Sequence, residues 1–163
     1  MPVSELLTWL EGSGLGVAMR GAGVWSYGIT NLIHILGVAT LFGSVLVLDL
    51  RLLGAFARAP LAAVAAPTVP LAATGFAIAA LSGSCLLVTN ATEYIGNPLL
   101  LIKFPAIGLG LVNALALGRL PAWRARGTRE LTPAEQRQLK WFGGLSLASW
   151  LTALACGRLI AYW

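Results

Sequence analysis

A single imidazole, His34, stands near the middle of the first of four long apolar segments, and it is the only histidine among 163 residues. An ionisable ring at bilayer depth is expensive, so such a residue marks a candidate functional site. The other side chains with chemistry at depth are Lys103, Cys85 and Cys156. Helical rise puts His34 about 15–18 Å below the outer end of its segment, Lys103 about 9 Å, Cys85 about 12 Å and Cys156 about 10 Å, all within one half of the bilayer. At about 100° per residue, Tyr27, Asn31, His34 and Asp49 fall on one face of the first segment with Val38, Leu41 and Val45, which predicts an inward polar stripe.

Three chemistries fit these residues. As a neutral hydrogen-bonding group, His34 would fasten its helix to a neighbour through Asn113, Ser82 or Ser84, with Lys103 reaching towards the outer headgroups. As an axial ligand it would hold a b-type haem, bordered by Tyr27 and Asn31, with Lys103 as an alternative ligand and a second imidazole from another copy or subunit. As a soft donor it would join Cys85 and Cys156 around Cu(I), which thiolate and imidazole both suit. A proton or ion path through His34 and Lys103 lacks an acidic group at mid-depth.

Other chemistries lack their parts. The two cysteines form no C-x-x-C or C-x-x-C-H pattern, which disfavours a zinc ribbon, a dithiol motif and c-type haem attachment and leaves one disulfide open. There is no Ser-His-Asp set, close carboxylate pair, H-x-x-x-H or phosphate-cradling glycine loop. Hydrolytic or nucleotide-dependent catalysis is therefore not expected, and the role reads as non-enzymatic.

The chain that must position these groups is built for lipid. Apolar side chains make up 58% of it and charged ones 10%, with a mean hydropathy of +0.81, too little polar surface to coat a soluble globule. The 19 glycines suit closely packed membrane helices. The expected fold is all-α: an integral membrane four-helix bundle preceded by a short N-terminal interfacial amphipathic helix. Residues 1–20 form the interfacial segment and 21–163 the bundle, with spans at about 22–50, 70–89, 98–118 and 141–162 and a basic loop at 119–140.

Local signals set these boundaries. Val3, Leu6, Leu7 and Leu10 recur at helical spacing on one side of a segment too short to span, and Gly12-Ser13-Gly14 ends it. No basic leader region precedes it, so nothing reads as a cleaved signal. An Ala-Pro-rich turn is expected from Ala59 to Pro67, ahead of the second span. Asn97-Pro98 opens the third, which Pro105 should kink. Thr132-Pro133-Ala134-Glu135 reads as a capping box. Small residues four apart predict tight helix contacts: Gly75, Ala79 and Gly83; Gly110, Ala114 and Gly118; Gly144, Ala148, Thr152 and Cys156. Asp49 reads as pairing with Arg51 at a helix end, and Glu93 as pairing with Lys103 or Arg158. Asn90-Ala91-Thr92 matches a glycosylation acceptor.

Basic residues give the orientation. Arg51, Arg58, Arg119, Arg124, Arg126, Arg129, Arg137 and Lys140 fall on one side, and Arg20, Lys103 and Arg158 on the other. The positive-inside rule then puts both termini outside. Trp25, Tyr27, Tyr94, Tyr162 and Trp163 fall at the outer interface, Trp123 and Trp141 at the inner one. The formal charge of +5 marks topology and attraction to anionic lipid, and no nucleic-acid partner is expected.

The run Asn31-Leu32-Ile33-His34-Ile35-Leu36-Gly37, followed by Gly43-Ser44-Val45-Leu46-Val47-Leu48-Asp49-Leu50-Arg51-Leu52-Leu53-Gly54, resembles an uncharacterised family of small bacterial four-span membrane proteins. Asn90-Ala91-Thr92-Glu93-Tyr94, Asn97-Pro98 and the Lys103 segment extend the likeness over most of the chain. A histidine followed by Leu-Gly and a Gly-Ser turn is more distantly similar to copper-resistance D-type membrane domains. The resemblance implies a multi-pass protein of the bacterial inner membrane, in which the count of basic residues puts both termini on the periplasmic side. The leading expectation is a non-enzymatic cofactor-binding or electron-transfer subunit centred on His34, with b-type haem or copper. The alternative is a structural or assembly subunit without a cofactor. Expected partners are the lipid bilayer and either a second copy or other membrane subunits.

Overall fold

The computed structural model describes residues 2–162; Met1 and Trp163 lie outside them, and with Trp163 one of the expected outer aromatic anchors. The described residues form helices and turns and no strand. The α-helices are α1 Val3–Glu11, α2 Gly14–Gly21, α3 Gly23–Leu53, α4 Leu61–Thr89, α5 Pro98–Arg119, α6 Pro121–Ala125 and α7 Pro133–Leu159. Three of them, α3, α4 and α5, are long and apolar enough to cross a membrane. Large apolar side chains such as Leu32, Leu81, Val112 and Leu151 point outward, while Asp49, Ser82, Asn113, Ser146 and Ser149 are buried. That reverses the arrangement water imposes and is the one lipid favours.

The chain divides into two compact units, residues 2–41 with 73–98 and residues 42–72 with 99–162. In the first, Gly12 ends α1 and the Ser13 hydroxyl accepts the Gly16 N–H to start α2, as the Gly-Ser-Gly break predicts. Leu7 is buried, and α1 packs on a short 3-10 turn, Ala91–Tyr94. The Glu11 carboxylate accepts the Thr92 N–H at 2.7 Å, and hydrogen bonds from the Thr92 side chain and then its N–H hold the Glu11 carboxyl below the usual carboxylate range.

Arg20 ties this region to the end of α4. Its guanidinium donates to Thr89 O at 3.0 Å and to Glu11 O at 2.8 Å, placing a cation on carbonyls that the end of a helix leaves without partners. Arg20→Ala is therefore expected to cost about 1–2 kcal/mol and to be felt locally. Amide exchange at Thr92 and proteolysis near Gly12 should both rise, with the α3 and α4 interiors unchanged.

In the second unit Leu48, Leu52, Leu61, Ala65, Leu117, Ala122, Trp123 and Leu139 pack into one core cluster. The end of α3 carries a tight cap: Gly54, at φ +113, donates to Arg51 O, and Ala55 N–H to Leu50 O. Only glycine adopts that backbone without strain. The turn expected from Ala59 to Pro67 is corrected, because α4 already begins at Leu61 and runs through Pro67 and Pro70. Leu61 and Ala65 are anchored in the core, and the Thr68 hydroxyl donates to Val64 O at 2.8 Å. Pro67 and Pro70 remove the helix bonds to Ala63 O and Ala66 O, and packing of this first turn into the core offsets that cost. Likewise α5 starts at Pro98 and continues through Pro105.

The capping box at α7 is present as predicted, with Thr132 and Glu135 each bonding the other's backbone N–H. Arg129 adds a two-pronged ion pair to Glu135, at 2.6 and 2.9 Å, and these donors pull the Glu135 carboxyl down to about 2. A depressed carboxyl stabilises the fold above its ordinary value and ceases to do so as it protonates. Protection of the first α7 amides is therefore expected to fall as pH drops from about 4.5 towards 2, and Arg129→Ala should move that loss to higher pH. Exchange measured at the Glu135 and Gln136 amides checks both.

Two of the small-residue rows are also corrected. The buried face of α7 is Leu139, Gly143, Ser146, Ser149, Trp150, Ala153 and Cys156, whereas Ala148 and Thr152 are exposed. On α5 the row contributes Gly110 to a buried set with Asn113 and Leu117, while Ala114 is exposed. Close packing chose the glycines: a β-carbon on Gly143 would lie 2.8 Å from Leu52 Cβ, and one on Gly110 2.9 Å from the Trp150 ring.

Candidate functional site

The third small-residue row, Gly75, Ala79 and Gly83 on α4, is where the first unit holds its histidine. A β-carbon on Gly75 would lie 2.4 Å from Leu41 N, and one on Gly37 2.7 Å from Ala79 N, so the α3 and α4 backbones touch here. One turn further along, the half-buried His34 ring lies over Gly83, where a β-carbon would be 2.9 Å from Cε1. Nδ1 is 3.0 Å from Ala79 O and 3.2 Å from Ser82 Oγ.

These contacts define the ring's chemistry. A backbone carbonyl has no proton to give, so Nδ1 carries the N–H and donates it. Ser82 directs its own hydroxyl proton to Ile78 O at 2.5 Å, leaving its oxygen to accept from the ring. In the neutral imidazole the basic lone pair then belongs to Nε2. Of the three partners expected for His34, Ser82 is found; Ser84 donates to Ala80 O and Asn113 to Phe142 O. The backbone carbonyl of Ala79 was not foreseen, because a side-chain search of the sequence cannot see a main-chain acceptor.

The remaining expected site residues lie as follows. Tyr27 and Asn31 are exposed; they sit in the N-terminal turns of α3, where Val24 and Trp25 also stand uncovered, 88% and 85% exposed. Both cysteines are free thiols, Cys85 half-buried and Cys156 buried. In the second unit the Lys103 ammonium lies against Gly157, 3.5 Å from where a β-carbon would stand, beside Cys156. Among the described residues, no three His, Cys, Asp or Glu side chains group as a metal would require.

Asp49 is the residue whose role the sequence understated. It is 2% exposed, has Ser146 of α7 within hydrogen-bonding reach, and does not pair with Arg51, whose Nε donates to Ala59 O at 2.8 Å. Its place on the α3 face shared with Leu41 and Val45 was the available signal. Glu93 likewise accepts from Asn90 instead of pairing with a cation; the one ion pair among the described residues is Arg129–Glu135. In comparisons with protein-family models, curated proteins and solved structures, nothing matches this chain.

Proposed function

We propose that the chain is a non-enzymatic structural or assembly subunit of a membrane, in which His34 fastens α3 to α4. The observation that carries this reading is the Nδ1 bond to Ala79 O, made where the Gly37 and Gly75 contacts already hold the two helices backbone to backbone. A ring used in this way needs no cofactor, and small residues with interhelical hydrogen bonds are the means by which helices associate in lipid.

In this reading α7 is a fourth span. Its modest hydropathy comes from the charged ends, Glu135, Arg137, Lys140 and Arg158, and from Gly143, Ser146 and Ser149, which are turned inward, while Trp141, Leu145, Leu151 and Leu159 face out. Eight basic residues against three then place both termini on the periplasmic side of a bacterial inner membrane, in keeping with the family resemblance. Val3, Leu6 and Trp9 remain outward on α1 and rest in the interface. On α5, Gly118 has open space beside it and leaves a surface for a second copy or another membrane subunit.

The second reading, a b-type haem or copper electron-transfer subunit, draws on the same bond. Fixing Nδ1–H on a carbonyl is how ligand histidines are oriented, with Nε2 as the donor to metal. An absorption spectrum and metal content of the detergent-purified protein separate the two. The fastener role predicts colourless, metal-free protein in which His34→Ala lowers stability by about 1–2 kcal/mol. A haem band or stoichiometric copper that His34→Ala removes would overturn it in favour of the cofactor role.

A further inference from the structure

Asp49, the only aspartate in the chain, is enclosed by protein, and its Oδ2 has no hydrogen-bond partner among the described residues. The same is true of Asn113 Oδ1, on a side chain 4% exposed. Both residues close on one turn of α7. Asn113 Nδ2 donates to Phe142 O at 3.0 Å, and in an α-helix that carbonyl also accepts the N–H of Ser146, the residue that reaches Asp49. Two buried acceptor oxygens without donors thus belong to side chains, on α3 and α5, that bond the same turn of α7.

The charges nearby are engaged elsewhere. On α3, Arg51 donates to Ala59 O. On α7, Lys140 lies by Gly54, at the end of α3. Just past α6, Arg126 stacks over the Trp123 ring and donates from Nη1 to Trp123 O, with its Nε unpartnered among the described residues, and on α6 Arg124 is exposed. Residues 61–72 of α4 contain no charged residue. Asp49 has no ion pair among the described residues. A carboxylate removed from water with neither a cation nor a full set of donors is uncompensated.

We propose that Asp49, with Asn113 and Ser146 around it, forms a binding site for a single proton, held on Oδ2 as a neutral carboxylic acid. The proton comes from water at that end of α3 and adds to an oxygen lone pair, cancelling the carboxylate charge; no other bond changes. The new O–H is a donor where the protein supplies none, and Asn113 Oδ1 is the kind of acceptor it needs. Close contact of Gly143 with Leu52 Cβ and Asp49 O favours a proton, which needs no void, over a coordinated metal ion.

Because the chain has one aspartate, isotope labelling of aspartate at its side-chain carboxyl carbon gives a single resonance from the full-length protein in lipid nanodiscs. At about pH 5, where an ordinary aspartate is already ionised, the whole of that signal is expected in the acid form, unchanged by added sodium. It should shift in Asn113→Leu and again in Ser146→Ala. A carboxylate signal at about pH 5 would overturn the proposal. So would an acid signal that sodium converts to carboxylate, since the site would then bind a cation.

Discussion

Gly75→Leu is expected to destabilise the protein by about 3 kcal/mol, the upper part of the range for overpacking. A β-carbon there would stand 2.4 Å from Leu41 N and 2.9 Å from both Leu41 Cα and Gly37 O. All three are main-chain atoms of α3, so no side-chain rotation relieves the clash and the helices must move apart. Separation also breaks the His34–Ala79 bond one turn along. Gly43→Leu is the control, since that position meets open space and should change stability by less than about 0.5 kcal/mol. Loss of helicity on titration with denaturing detergent, measured for both variants, gives the comparison.

Trp150→Ala is expected to have a comparable effect, about 3–4 kcal/mol. Trp150 is 7% exposed and its ring occupies the gap left by Gly110, at distances that a β-carbon would reduce to 2.9–3.1 Å. Truncation leaves a cavity between α5 and α7 that two rigid helices cannot close. Gly110→Leu attacks the same contact from the other side, so the double variant should be much less destabilised than the sum of the two. The coupling measured in that cycle distinguishes a shared contact from two independent defects.

Much of the fold was legible because its determinants are local. Gly-Ser-Gly between α1 and α2, Pro98 at the start of α5 and the Thr132–Glu135 box each act within one helical turn. The Gly75-Ala79-Gly83 row was legible for a different reason: repeated small residues leave a groove that something must fill, and Gly37 and His34 fill it. The rows on α5 and α7 held only at Gly110 and Cys156, because spacing gives a face and packing chooses its rotation. Gly143 and Gly144 are equivalent as letters; Leu52 meets the first. The start of α4 was missed because proline was read as a stop, whereas burial of Leu61 and Ala65 outweighs its cost.

The site was legible in its residue and not in its partners. Composition and depth single out His34, but the acceptor that fixes it is a main-chain carbonyl 45 residues away. Asp49 was read as one half of a charged pair with Arg51, as proximity in sequence suggests. A difference of two residues places them roughly 200° apart around a helix, and the structure sends Arg51 to Ala59 O and Asp49 inward. For long charged side chains at helix ends, direction around the axis decides the partner and closeness in sequence does not.

The most direct test is the state of the histidine ring, which the single imidazole makes unambiguous. In protein carrying nitrogen-labelled histidine, magnetic resonance reports which ring nitrogen holds the proton and whether it is bonded to a labelled backbone carbonyl. A His34 that fastens α3 to α4 gives a protonated Nδ1 coupled to the carbonyl of Ala79, with Nε2 unprotonated. A ring protonated at Nε2 alone, or one with no coupling to that carbonyl, contradicts the role given to His34.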